Sequence, residues 1–393
     1  MNSAPEQEHA LPRNILLVTG SLTGGGAERV LSDMANYWAR KGWTVSFATW
    51  SGPDIGDFYK LDPKVRRVYV DVTTPRMSLV ARLTSNLRRV LEFRKTLLDL
   101  QPDAVLSFIN TSNIRTILAT AGLRTRVVVS ERVQPSADST ASIGCRILRI
   151  LSYAWSDEIV VQSRDTAEWM RKYCRKPAVI IPNPLRSLPQ LTCEREPLIV
   201  AVGRLEHQKG FDLLLRAFAK VAKEFDDWNV SILGEGSEYE NLLVLRNDLG
   251  LTERVQFTGH VRDVEVWMAR AGLVVQPSRF EGFPNVLLES MAAGATTISA
   301  DCPSGPADII EDGIDGRLVP VEDVEALAGV MQELMSRPEL RTRLGNAARK
   351  VRQKYRQDKI MRLWEQCIFP EHKFVRDSSL HVGEDSLERG QPN

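Results

Sequence analysis

The sequence predicts an α/β protein: two doubly wound parallel-sheet domains facing each other across a cleft. Three observations carry this. A strand–loop–helix–strand passage occurs twice, as "RNILLVTGSLTGGGAERVLSDMANYWARKGWTVSFATW" and, about 180 residues later, as "PLIVAVGRLEHQKGFDLLLRAFAKVAKEFDDWNVSILGEG". Each passage is the opening unit of a parallel sheet. The remaining apolar runs are continuous rather than alternating, as in strands covered on both faces. Finally, "IPNPLRSLPQLTCEREP" carries Pro182, Pro184, Pro189 and Pro197, which continue neither sheet nor helix and mark a linker.

In chain order, the further strands of the first half are "DAVLSFI", "RVVVSE", "EIVVQS" and "AVIIP". Those of the second half are "VQFTGH", "LVVQPS" and "TTISAD". The boundaries read as a flexible 1–12, a first domain over 13–185, a linker at 186–196 and a second domain over 197–350. A final helix falls within 351–370, and 371–393 is a polar, aperiodic tail expected to be disordered. A length of 393 residues fits this division, at roughly 150 residues per domain.

Hydrophobic content of 43% and charged content of 26% are ordinary for a soluble globular protein. The net charge of +1 hides an asymmetry: residues 1–190 hold 26 Lys and Arg against 17 Asp and Glu, and the rest hold 25 against 33. A basic half suits phosphate or an anionic membrane surface; nucleic acid is not expected as a partner. Five scattered cysteines without a C-x-x-C pair fit a reducing cytosol. The N-terminal "MNSAPEQEHALPRN" has no apolar core for a signal peptide, and no run approaches the roughly 20 apolar residues of a membrane span. Any membrane contact is therefore expected to be peripheral, from the cytoplasmic face.

Ligands of open α/β sheets bind beyond the carboxyl ends of the strands, so the loops that follow strands are the candidates. After the first strand, Gly20 to Arg29 includes Gly24, Gly25 and Gly26, which let backbone amides approach an anion at a helix start. It is a poor dinucleotide fingerprint, because Arg29 stands where the third glycine belongs and the next strand ends Thr49-Trp50 with no acid. A plain strand-to-helix turn is the alternative. After "LIVAV", Arg204 and Lys209 place two cations five residues apart on a turn that opens a helix. Against a diphosphate each is worth about 4 kcal/mol at ~4 Å and an effective dielectric near 20, before desolvation. The third loop is "FEGFPNVLLESMAAG", with Glu281 on a post-strand loop and Glu289 eight positions on. Pro284 suits the first turn of a helix ending near Gly294. The amides of Asn285, Val286 and Leu287 then form an anion seat, and Glu289 lies in reach of vicinal hydroxyls. A carboxylate paired inside the helix is the other reading of Glu289.

Glu281 and Glu289 form an E-x7-E pattern, and with "ILLVTGSLTGGGAERVL", "VGRLEHQKGFDLLLRAF", "FTGHVRDV" and "GIDGRLVP" they resemble the retaining glycosyltransferases of family 4 (group 1). The resemblance covers nearly the whole chain and looks closest to enzymes of lipid-linked glycan or exopolysaccharide assembly. It implies the GT-B fold, two Rossmann-like domains, with the last helix packing back across their junction. It implies a nucleotide-sugar donor, UDP-hexose or UDP-N-acetylhexosamine before GDP-mannose, and a glycan or polyprenyl-diphosphate-linked acceptor. Arg204 and Lys209 would hold the donor diphosphate, Glu281 the sugar hydroxyls and Glu289 the ribose. Asn285 and Val286 would meet a phosphate through their amides. Gly259 and His260 would flank the base, and Gly25 and Gly26 the reacting centre. No metal or other cofactor is expected, since Asp312 and Asp315 read as turn chemistry.

Many relatives present a histidine from the first domain; here Ser130-Glu131-Arg132 ends the corresponding strand. Glu131 is a candidate to orient or deprotonate the acceptor, and Arg132 to bind an anionic group, with an exposed strand-end pair as the alternative. In "RMSLVARLTSNLRRVLEFRKTLLDL", Leu79, Leu83, Leu87, Val90, Leu91, Leu97 and Leu98 follow helical spacing, with Arg82, Arg88, Arg89 and Lys95 off that stripe. Arg82 and Arg89 are candidate contacts for anionic lipid or an acceptor diphosphate; a packed surface helix is the alternative. Two competing functions remain at this stage, a nucleotide-sugar epimerase of the same fold and a non-catalytic sugar-binding scaffold.

Overall fold

The six residues NILLVT alternate their side chains between two helical layers, and that alternation organises the first half. The computed structural model describes residues 13–70, 79–135, 142–189, 191 and 193–370, with only the backbone of 79–84. The expected flexible 1–12 and the tail 371–393 lie outside them. Strands β1 (Asn14–Thr19), β2 (Thr44–Thr49), β3 (Arg66–Tyr69), β4 (Ala104–Phe108), β5 (Arg126–Ser130), β6 (Glu158–Val161) and β7 (Val179–Ile180) pair in parallel in the order β3-β2-β1-β4-β5-β6-β7. Helices α1 (Gly26–Arg40), α2 (Leu79–Leu100), α3 (Asn110–Thr120), α4 (Ile143–Tyr153) and α5 (Arg164–Tyr173) cover them. Ile15 and Leu17 pack with Met34 and Trp38 of α1, while Leu16 and Val18 pack with Phe93 and Leu97 of α2. Glu28 in the first turn of α1 and Arg40 in its last suit the helix dipole.

The second sheet consists of β8 (Glu196–Val202), β9 (Asn229–Leu233), β10 (Val255–Gly259), β11 (Ala271–Gln276), β12 (Thr296–Ala300) and β13 (Arg317–Val319). Its order is β10-β9-β8-β11-β12-β13, again parallel throughout. Its helices are α6 (Phe211–Val221), α7 (Tyr239–Asp248), α8 (Val264–Arg270), α9 (Asn285–Ala292), α10 (Pro306–Ile309), α11 (Val324–Ser336) and α12 (Pro338–Ala348). Strand order reverses between β1 and β4 and between β8 and β11, which are the switch points where doubly wound sheets open a crevice.

Three features differ from the sequence expectation. Strands β3 and β13 were not anticipated; both are short, and RRVY owes its place to Arg67, which bonds Asp57 and the Thr49 hydroxyl. The last helix is two, α13 (Val351–Lys354) and α14 (Gln357–Ile368), divided at Tyr355 and Arg356. Val351 and Tyr355 pack with α9, whereas Ile360, Met361, Trp364 and Ile368 complete the core built on β1 and α1. Third, the apolar positions of α2 are not one stripe. Phe93 and Leu97 are buried, while Leu87, Leu91 and Leu98 are 61%, 51% and 53% exposed. At 100° per residue these three lie roughly 120° round the helix from the buried pair.

Candidate functional site

One cavity of about 800 Å³ lies between the halves. The first half lines it with Thr23–Arg29 after β1, Arg132 and Val133 after β5 and Gln162 after β6; Asn183 follows β7. The second half supplies Gly203, Arg204, Gln208 and Lys209 after β8, and Gln276 with Phe280–Val286 after β11. Apart from Tyr59, midway between β2 and β3, every contribution comes from the end of a strand or the segment that follows it. Two glycines allow the close approaches. A Cβ on Gly210, at φ +67°, would stand 2.1 Å from the Pro277 carbonyl oxygen, and one on Gly282 would stand 2.0 Å from that of Arg132 in the opposite half.

Lys209 and Glu281, expected on one ligand, meet directly. Lys209 Nζ donates to Glu281 Oε1 at 2.7 Å, and the same oxygen accepts from Gln276 Nε2 at 2.8 Å and Ser278 Oγ at 2.7 Å. Three donors make a buried carboxylate tenable. Arg204 is exposed on the same wall. Glu28 faces it; burial raises its carboxyl pKa, opposed by its own backbone bond and by Arg204. Burial, with Glu281 adding, pushes the Cys302 thiol up to about 12, so it stays a neutral filler behind the wall.

Glu289 is buried in α9 and accepts from Arg29 Nη2 of the opposite half at 2.6 Å, with Arg186 Nε at 3.5 Å. Its Oε2 accepts no hydrogen bond among the described residues. Sequence reading missed Arg29 and Arg186, because both partners are remote in the chain. Pro284 caps α9 instead of occupying its first turn. The Asn285 amide is not a free donor, since it bonds the Phe283 carbonyl at 2.9 Å. The side chain of Asn285 instead accepts from Asn183 Nδ2 at 2.8 Å. The Val286 and Leu287 amides donate to no group among the described residues. Gly25 and Gly26 line the cavity at the start of α1. Gly259 and His260 do not; His260 is exposed, with its ring 6.3 Å from Phe58, which lies over Gly24.

Glu131 and Arg132 separate, because consecutive residues leaving a strand face opposite ways. Glu131 turns inward, accepts from the Tyr153 hydroxyl at 2.9 Å and lies 3.6 Å from Arg149 Nη1. It does not line the cavity, which removes it as an acceptor-facing base. Burial, and then Glu131, raises the Tyr153 phenol well above its ordinary value. Arg132 does line the cavity, with Nη1 donating to Asn183 Oδ1 at 2.6 Å. On α2, the Arg82 side chain lies outside the described residues, and Arg89 is half-buried away from the cavity. Among the described residues no helix is long and apolar enough to cross a membrane.

Two family models match in succession: Glycosyltransferase Family 4 over residues 24–186 and Glycosyl transferases group 1 over 189–351. A Haemophilus influenzae protein described as an uncharacterized glycosyltransferase is 28% identical over 347 residues, 87% of this chain and 96% of its own. A Campylobacter jejuni protein is 28% identical over 344 residues, 85% of this chain and 92% of its own; its name is GalNAc-alpha-(1->4)-GalNAc-alpha-(1->3)-diNAcBac-PP-undecaprenol alpha-1,4-N-acetyl-D-galactosaminyltransferase. Among solved structures, Anabaena HepE in complex with UDP aligns with a TM-score of 0.73 at 18% identity, over 90% of this chain and 99% of that one. The two models together span every strand but β1 and every cleft-lining residue but Thr23, and so the chain belongs to the group 1, family 4 glycosyltransferases and has their GT-B fold.

Proposed function

We propose that this chain is a retaining, metal-independent glycosyltransferase. It moves a hexose or N-acetylhexosamine from a uridine-diphosphate sugar to a glycan acceptor on a polyprenyl diphosphate, in the assembly of a polysaccharide or lipid-linked glycan. The observation that carries this reading is the single cleft in which Arg204, Lys209, Glu281 and the tip of α9 converge from one half onto Gly25 and Gly26 of the other. Its ~800 Å³ suits a nucleotide sugar. The undecaprenol in the Campylobacter relative's name and the UDP held by HepE support the choice of acceptor and base.

In this mechanism the acceptor hydroxyl oxygen bonds the anomeric carbon while the bond from that carbon to the diphosphate breaks. The electron pair leaves on the phosphate oxygen, which takes the acceptor's proton. Arg204, Lys209 and the free α9 amides stabilise the departing charge without reorganising at the moment of reaction. Glu281 positions sugar hydroxyls, and Glu289 takes the ribose hydroxyls through Oε2 or by displacing Arg29.

Peripheral contact with an anionic membrane fits a feature that sequence reading overlooked. On α4 and just beyond it, Ile143, Ile147, Leu151 and Trp155 recur every four residues and are 78%, 52%, 61% and 70% exposed. Helix α3 lies between α4 and α2, so this row shares a layer with the exposed Leu87, Leu91 and Leu98 and with the exposed Arg88 and Lys95. Apolar rows flanked by cations suit a headgroup layer. A thermal-shift panel of nucleotide sugars tests the function. A shift with one nucleotide class, abolished in Glu289→Ala, is expected. No shift with any nucleoside diphosphate, or an undiminished shift in that variant, would refute the assignment.

A further inference from the structure

Phe58 is 60% exposed, yet the segment that carries it is firmly fastened. Its amide donates to the Leu22 carbonyl at 2.9 Å. Asp57 before it accepts from Arg67 Nε and Nη2, both at 2.8 Å. Asn36 of α1 donates to the Lys60 carbonyl at 3.0 Å and accepts from the Asp62 amide at 2.6 Å. Such anchoring lowers the ordering cost of any contact the ring makes with a ligand. Gly24 and Tyr59 line the cleft, and Phe58 touches both, so it stands at the rim. The Cβ position of Gly24 lies 3.9–4.0 Å from the ring's Cγ, Cδ1 and Cδ2, an equal spacing met only above the centre of the ring. One face therefore rests on Gly24, which has no side chain in the way. The exposure belongs to the other face and the edge.

Across the rim, His260 of the second half is also exposed, with its ring 6.3 Å from that of Phe58 and inclined at 81°. Its backbone is held where the Gly234 amide donates to the Gly259 carbonyl at 2.8 Å. The separation identifies the ligand by its thickness. A flat ring between two parallel ones needs about 7 Å, twice the ~3.5 Å contact of stacked carbons. From 6.3 Å, a turn of the exposed imidazole and less than about 1 Å of opening provide it. A puckered pyranose is thicker and carries hydroxyls that Phe58 cannot bond. Location agrees. Burial raises the Tyr59 phenol, and the charges of Arg29, Glu28, Asp33 and Glu289 also act on it. This end of the rim thus lies beside the carboxylate assigned to the ribose, the sugar that bears the base.

We infer that Phe58 stacks on the donor's nucleobase, with His260 of the opposite half on the base's other face. This rests on the cleft being the nucleotide-sugar site. The nucleotide then bridges the halves: Arg204, Lys209 and Glu289 of one hold its diphosphate and ribose, and Phe58 of the other covers its base. Stacking tolerates any base, because each has a π-face. Phe58 therefore sets affinity and leaves the choice between uracil and guanine to other groups.

Calorimetry on the full chain with UDP, GDP and inorganic pyrophosphate tests it. Phe58→Ala weakens the nucleotide that the wild type binds by about 5- to 100-fold, the worth of one stacked base, and leaves pyrophosphate within about twofold. Phe58→Tyr keeps the wild-type affinity, whereas Phe58→Leu, apolar but without a π-face, loses most of what Phe58→Ala loses. In Phe58→Trp, the nucleotide quenches indole fluorescence beyond any change in the wild type, and pyrophosphate does not. Because the ring is exposed, these variants remain folded. Nucleotide affinity within about twofold of wild type in Phe58→Ala overturns the inference. So does an equal loss for pyrophosphate, since the segment would then shape the diphosphate site. Unchanged nucleotide binding with a raised KM for the acceptor glycan also overturns it and makes the ring an acceptor contact. A wild type that binds no nucleotide refutes the proposed function instead, and the inference with it.

Discussion

Lys209→Ala removes an ammonium that stands 2.7 Å from Glu281 Oε1, where the lysine side chain is 17% and the glutamate 6% exposed. Gln276 and Ser278 continue to donate to that oxygen at 2.8 and 2.7 Å. The carboxylate is therefore not orphaned, and the cost should fall short of the 3–5 kcal/mol typical of a buried pair broken outright. It should lie near 2 kcal/mol, about the worth of one hydrogen bond to a charged group. For the second half of the molecule that corresponds to a fall in Tm of roughly 4–8 °C. The expected loss in rate is larger: withdrawing one preorganised charge from the leaving group costs about 10²–10³ in kcat, or roughly 3–4 kcal/mol. Steady-state transfer measured beside scanning calorimetry separates the two, with Lys209→Arg expected to restore stability and part of the rate. A fall in Tm of that size with kcat within about threefold of wild type would make Lys209 a structural counter-ion and refute the leaving-group role.

Gly282→Ala drives a Cβ against the Arg132 carbonyl oxygen of the opposite half; transfer should fall roughly 100-fold from misplacement while each half keeps its Tm, and normal turnover would show that the approach is dispensable. Ile147→Glu with Leu151→Glu changes exposed side chains, so stability should move by less than about 0.5 kcal/mol each. Sedimentation with anionic vesicles should drop sharply with donor binding intact, and unchanged sedimentation would remove α4 from any membrane contact. Trp364→Ala empties a fully buried position and should cost about 3–5 kcal/mol. Hydrogen exchange should then quicken in β1 and β2 and not in β8; the opposite pattern would mean α14 serves the second sheet.

The doubly wound halves were legible because buried parallel strands write long apolar runs and their turns are punctuated by glycine. The cleft loops were legible for the same reason, since a strand's end locates the residues after it. Pairing was not. Nothing near Glu289 in sequence announces Arg29, which is 260 positions away, and Asn285 gives no sign that its amide folds back on Phe283. Adjacent residues were a second blind spot: Glu131 and Arg132 read alike as a polar strand end, yet one is interior and the other faces the cleft. On α2 the leucines were read as one stripe because the sequence offers more apolar positions than one face can hold. The row on α4 shows the period in plain view, Ile143, Ile147, Leu151 and Trp155, but period alone cannot tell a covered face from a bare one.

The return of α14 sets an order of assembly. Ile15 and Trp364 belong to one hydrophobic cluster although they stand near opposite ends of the described chain, so the lobe that leaves the ribosome first is also the last to be completed. Until residues beyond 357 are synthesised, Phe108 lacks the Trp364 indole beside its ring, and Trp38 lacks the Glu365 carboxylate that accepts from its ring nitrogen at 3.1 Å. The lobe around β8 has no such debt and can mature while its neighbour waits.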